Sequence, residues 1–241
     1  MSDAPSNPPI ALFAALRHEL EPVIARLKLT PQGLSHVGRV GEHDVVAVVS
    51  GIGAARATAA LSHLIQTYEP ARLLVIGLCG ALVEGLAVGD LFEPQWLIDG
   101  KGGAVQLAMG LPRVVRDSPD RSAGETLITV DTVVRTPEEK RALGEKHRAA
   151  AVDMETFAVG KLAAERELRC TVIRAVSDTV KTTLPKGIEN WVNPDGTTNK
   201  AAAMKSLALK PWLISGAMKL GRNADLAAEK LAQRVEQALV G

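Results

Sequence analysis

The chain has 241 residues, with 28 Lys and Arg against 27 Asp and Glu, and its formal net charge of +1 offers nucleic acid no global attraction. Hydrophobic residues make up 46% and aromatics only 3%, so a core built from Ala, Leu and Val can fill one large α/β domain, and no break in composition divides it. The two cysteines, Cys79 and Cys170, sit in apolar stretches and argue against a disulfide framework; residues 1–9 lack the basic and apolar regions of a secretory signal, and no apolar run reaches the ~18 residues of a membrane span, so the chain reads as cytoplasmic.

Residues 10–15 form a short apolar strand, and 18–29 continue as a helix whose Leu20, Val23, Ile24 and Leu27 share a face. Glu19 stands at that junction, where a carboxylate also suits the helix dipole. Residues 34–40 and 45–50 read as a hairpin around 41–44. Gly51, Ile52 and Gly53 then open a helix over 54–68, followed by a strand at 73–76, which together make a βαβ unit. These glycines fall short of a dinucleotide fingerprint, and close packing of helix on strand accounts for them. A second glycine turn, 77–82, follows the strand. Residues 73–87 contain no Lys, Arg, Ser or Thr, so a phosphate placed there would meet only backbone N–H groups. Residues 95–98 predict a strand, 99–120 irregular surface and 125–134 another strand. Thr136, Pro137, Glu138 and Glu139 predict a helix start, completed by 140–147.

Residues 151–181 carry the densest chemistry. Val152, Asp153, Met154 and Glu155 form an acid-bearing turn, a helix follows over 156–167, and 170–176 is a largely β-branched strand ending in Ser177 and Asp178. The helix and its short turn bring this strand back alongside the previous one, so Glu155 and Asp178 arrive at one rim of a parallel sheet. Two carboxylates so placed suit a cleavage reaction with acid and electrostatic steps. A turn-forming Asp and a Glu that complements a helix dipole would look the same in sequence.

Residues 196–223 hold five basic side chains (Lys200, Lys205, Lys210, Lys219, Arg222) and no acid, interleaved with Met204, Trp212, Met218 and Leu220. Such a segment docks as a helical pair with its lysines in water, covers an apolar substrate, or lies on an anionic membrane surface. Residues 224–239, with Leu231, Val235 and Leu239 four apart, close the chain as an amphipathic helix. No histidine stands at metal-ligand spacing from another His, Cys or Glu, so no metal is expected.

Six short motifs in this order, AALRHE at 14–19, SGIG at 50–53, GLCGAL at 77–82, VGD at 88–90, VDME at 152–155 and VIRAVSD at 172–178, resemble the nucleoside phosphorylase and nucleosidase superfamily. The resemblance covers residues 10–183 and is strongest to its 5'-methylthioadenosine/S-adenosylhomocysteine nucleosidase branch. From Leu184 onward the chain looks more like the hopanoid-associated phosphorylase/nucleosidase subgroup, whose substrate would be a lipid-linked adenosine. The resemblance implies an α/β, three-layer phosphorylase/hydrolase-like fold, with a mixed twisted sheet flanked by helices. It further implies one domain over 1–241, with a flexible 1–9 and a variable helical extension over 184–241, assembled as a homodimer.

The activity implied is hydrolysis of the N-glycosidic bond of a 5'-modified adenosine to release adenine, without a cofactor. By similarity Asp178, kept protonated by partial burial, would be the general acid for the purine N7, oriented by Ser177. Glu155 would bind the ribose hydroxyls, with Met154 packed on the sugar. Glu19 would activate water, held in register by Arg174, while backbone groups around Cys79, Gly80 and Val134 edge the base. Phosphorylases of the superfamily carry an arginine and a hydroxyl for phosphate where this chain has Val75 and Leu78, which favours water as the nucleophile. Nucleosidases commonly have a hydroxyl where Leu78 stands and a purine-stacking Phe where this chain has Val133. A phosphate-dependent phosphorylase and a nucleoside-binding protein without turnover remain open alternatives.

Overall fold

The computed structural model of the protein describes residues 8–108, 111–116, 122–209 and 214–240. Its centre is a group of parallel strands whose residues are apolar on both faces, as strands covered on both sides must be. Strand β1 (Ile10–Ala14) lies between β4 (His43–Val49) and the first half of β5 (Arg72–Ala81), and β5 runs parallel to β12 (Arg169–Asp178) from Arg72 to Gly80. Side chains alternate between two cores with the period of the pleat. Ala11, Phe13, Leu73, Val75 and Val172 face helices α2 (Ala54–Tyr68) and α4 (Thr156–Glu165), whereas Leu12, Leu74, Ile76 and Ile173 face α1 (Arg17–Leu27) and α6 (Ile214–Val240). The architecture is three-layered, helices over a mixed sheet over helices.

The remaining strands extend this centre. Strand β2 (Thr30–Gln32) pairs antiparallel with β3 (Ser35–Val40) and β3 with β4, the hairpin expected around residues 41–44. On the far side come β11 (Ala151–Asp153), β10 (Thr126–Thr129), β7 (Trp96–Ile98), β8 (Gly103–Ala108) and β9 (Leu111–Arg116), in that order. The short β6 (Leu91–Phe92) borders β12.

Four expectations are corrected. Residues 77–82 are not a turn: β5 runs on to Ala81 because Gly80 pairs with Asp178 on one edge and with Val152 on the other, leaving no free edge at which to turn. Strand β12 does not return beside β11; the two lie on opposite edges of β5, which shares its second edge between β1 and β11. Within residues 99–120, β8 and β9 pair antiparallel, and their glycine and proline content hid buried Ala104, Val105 and Leu107. The strand expected over 125–134 stops at Thr129, and the residues after it leave the sheet.

The helix α3 (Pro137–His147) starts as expected. The Thr136 hydroxyl accepts from Glu139 N, and the Glu139 carboxylate accepts from Thr136 N. The closing helix α6 is longer than its predicted 224–239 span, and buries Ala227, Leu231, Val235 and Leu239 against α1 and β12. Helix α5 (Lys200–Leu209) precedes it; Met204 of α5 is 71% exposed and Met218 of α6 55%. Lys210 and Trp212 lie outside the described residues. No described helix is long and apolar enough to cross a membrane.

Candidate active site

The carboxyl ends of β1, β5 and β12 face a cavity of about 350 Å³, closed by the segments after β10 and β11 and by the C-terminal region. Glu19 reaches it from the first turn of α1. Its Oε2 accepts from Leu16 N (2.9 Å) and its Oε1 from Leu78 N (2.8 Å), so one carboxylate ties the β1–α1 junction to β5. Burial raises the Glu19 carboxyl above its usual range, against the pull of Arg174 and of the two N–H groups.

Glu155 enters from the start of α4 and accepts from Gly53 N at 2.8 Å, which joins it to the first glycine turn. Burial, with Asp153 second, pushes its carboxyl up to about 7. The C-terminal segment holds that turn and the β1–α1 junction: Ile52 N donates to Pro194 O, and Arg17 N to Gly196 O. Both Gly51 and Gly196 have positive φ and press on backbone where a Cβ has no room.

Asp178 stands at the end of β12, where a register shift after Val176 turns it toward Gly80. It is 7% exposed, with Oδ2 2.5 Å from the ammonium of Lys140 and Oδ1 3.2 Å from the Ser177 hydroxyl. Ser177 Oγ is also 3.2 Å from the Cys79 carbonyl and can donate to one acceptor at a time.

Leu78, Cys79 and Gly80 of β5, Val133 and Val134 beyond β10, and Met154 beside Glu155 also line the cavity. Burial drives the Cys79 thiol upward, which makes its sulfur a neutral wall. Arg174 is the expected site residue that does not reach this wall. It is 2% exposed, paired with Asp153 at 2.6 Å and hydrogen-bonded to Thr156 Oγ1. Asp153 also accepts from Thr129 Oγ1 at 2.6 Å. A Cβ on Gly77 would collide with Arg174 and crowd Glu19, so that glycine leaves room for the guanidinium and the carboxylate on the same side of β5.

Lys140 and Asp153 were missed in the sequence. Asp153 was visible inside VDME, but its partner across the sheet was not. Lys140 left one signal, a cation in the first turn of a helix, where the dipole disfavours it. Ile188, which opens a 3-10 turn, Val192 just after it, and Leu220 and Ala224 of α6 add apolar wall to the cavity, with the Glu189 carboxylate beside Ile188. Among the described residues lining the cavity there is no Lys, no Arg and no aromatic ring.

The chain belongs to the phosphorylase superfamily, whose family profile matches residues 9–210. Among its relatives is a 5'-methylthioadenosine/S-adenosylhomocysteine nucleosidase of Listeria welshimeri, 26% identical over 169 residues, covering 59% of this chain and 72% of that one. Among solved structures, the Streptococcus pneumoniae MTA/SAH nucleosidase in complex with 8-aminoadenine superposes with a TM-score of 0.67 at 21% identity, covering 96% of this chain and 99% of the other. The futalosine hydrolase of Helicobacter pylori superposes with a TM-score of 0.65 at 19% identity, covering 95% and 96%.

Proposed function

We propose that the protein is a purine nucleosidase, an N-ribosyl hydrolase that releases adenine from a 5'-modified adenosine such as methylthioadenosine or S-adenosylhomocysteine. One observation carries the reading: three buried carboxyls remote in sequence, Glu19, Glu155 and Asp178, open on one apolar cavity with no cationic side chain on its described wall. A purine leaves C1' only if the departing ring is protonated, and Asp178 beside Gly80 is the group placed to deliver that proton to N7. The ribosyl left behind is oxocarbenium-like. Glu155, ionised, accepts from the ribose 2'- and 3'-hydroxyls and strengthens those bonds as positive charge grows. Glu19 takes the proton of the attacking water. Arg174 and Asp153 balance the charge behind it.

A phosphate nucleophile would need donors, and the nearest cations, Lys140 and Arg174, do not line the cavity and are each engaged by a carboxylate, Asp178 and Asp153 respectively. Incubation with methylthioadenosine, with and without phosphate, decides the matter. Adenine and free sugar at a phosphate-independent rate are expected; a sugar 1-phosphate would make the protein a phosphorylase, and nucleoside binding without base release a binding protein.

The finer reading is a cytoplasmic homodimer acting on an adenosine whose 5' substituent is apolar, extending to lipid-linked adenosines of the hopanoid type. Its support is the apolar wall that Ile188, Val192, Leu220 and Ala224 add to the cavity. Exposed Met204 and Met218 beside Lys200, Lys205, Lys219 and Arg222 suit contact of 196–223 with an anionic lipid surface.

A further inference from the structure

Lys140 is fully buried at the first turn of α3, and its Nζ makes three contacts: Asp178 Oδ2 at 2.5 Å, Thr179 O at 2.9 Å and Thr182 O at 3.1 Å. An ammonium has three N–H groups, and here each has an acceptor. Stability is a poor reason for this arrangement. A buried ion pair is commonly no better than apolar side chains of the same volume, and the helix dipole opposes a cation at this position. The carboxylate it meets is, however, the one nearest Gly80 on the cavity floor.

We propose that Lys140 is a positioning residue for the general acid: it fixes the Asp178 carboxyl under the purine and sets the pH range over which that carboxyl passes its proton to N7. The inference rests on the reading of Asp178 as the acid. In the step concerned the Asp178 O–H bond breaks as N7–H forms, and the C1'–N9 electron pair leaves with the base. The carboxylate so created forms directly against the Lys140 ammonium. Asp178 regains a proton from water after adenine departs. The fixed positive charge favours the carboxylate that the step creates, which makes Asp178 a readier donor. The other groups facing Asp178 are the neutral Cys79 thiol from β5 and the Ser177 hydroxyl of β12, while Glu19, Asp153, Glu155 and Glu189 line the same cavity.

The experiment is the pH profile of kcat/KM for adenine release by the full chain and by Lys140→Met and Lys140→Arg. Lys140→Met should move the alkaline limb upward by about one pH unit or more and lower kcat at the optimum, whereas Lys140→Arg should keep the limb where it is. An unmoved limb in Lys140→Met overturns the proposal. Should that variant not fold, Lys140→Gln serves instead: an alkaline limb moved upward together with a lower kcat agrees with the role, and an unmoved limb overturns it. Asp178→Asn also separates the two readings: undiminished adenine release by that variant removes the acid itself and this role with it. Loss of release by Asp178→Asn together with an unmoved limb in Lys140→Met removes only the role of Lys140.

Discussion

On the proposed function Glu155 carries opposing demands: it would have to be ionised to accept from ribose hydroxyls, yet its surroundings hold its proton up to about pH 7. In the unfolded chain the same carboxyl titrates near the ordinary 4.5. Between these values the folded protein binds more protons than the unfolded one, so this residue's contribution to stability is present below about pH 4.5 and declines as pH rises through about 7. The loss is on the order of a few kcal/mol. Glu155→Gln keeps an acceptor for Gly53 N but cannot ionise. Its urea midpoint is therefore expected to exceed that of the unaltered protein at pH 8 and to match it at pH 4.5, while adenine release falls by about two orders of magnitude. Equal midpoints at both pH values would mean that the carboxyl is not held protonated. The residues that bear this chemistry were legible in sequence because strand ends, glycines and acids recur in a recognisable order. Lys140 and the Asp153–Arg174 pair were not, because each is defined by a partner at least 21 residues away, chosen by tertiary packing.

At the scale of elements, the site depends on where each helix begins. Helix α3 is held by the reciprocal Thr136–Glu139 cap, and its next residue is Lys140. Thr136→Ala removes the acceptor for Glu139 N and should cost about 1 kcal/mol in urea unfolding. Because the frayed turn is the one that aims Lys140 at Asp178, kcat should drop as well, whereas Glu145→Ala on the exposed side of the same helix should change neither. Loss of stability with full kcat would show that the cap does not position the lysine. The cap was plain in sequence, since its interactions span three residues. The extent of β5 was not. Gly77 and Gly80 predict a turn by local propensity, but pairing on both edges overrides that preference, and the missing side chains make room for Arg174 and Asp178. The β8–β9 pairing was hidden for the converse reason, its Gly and Pro outweighing a buried alternation that only a neighbouring strand makes visible.

For the molecule as a whole, α6 has two duties that the amphipathic pattern at 224–239 did not separate. Leu231 and Val235 are buried in the core beneath the sheet, so removal of the helix would expose that core and report on folding rather than on substrate. One turn past the exposed Met218 region, Leu220 and Ala224 instead wall the cavity. A substitution there tests the substrate without touching the core. On the proposed function, Leu220→Asp places a charge on the cavity wall offered to the 5' substituent. Since a charge buried against an apolar group is costly while an open or polar substituent leaves it hydrated, discrimination should be large. The melting temperature is expected to stay within about 3 °C, as for a partly exposed site. The kcat/KM for 5'-alkylthio adenosines with long chains should fall by about tenfold or more relative to methylthioadenosine, in keeping with a loss of 1–3 kcal/mol of apolar contact. A uniform loss across the series would place the 5' group elsewhere and would leave α6 as scaffold alone.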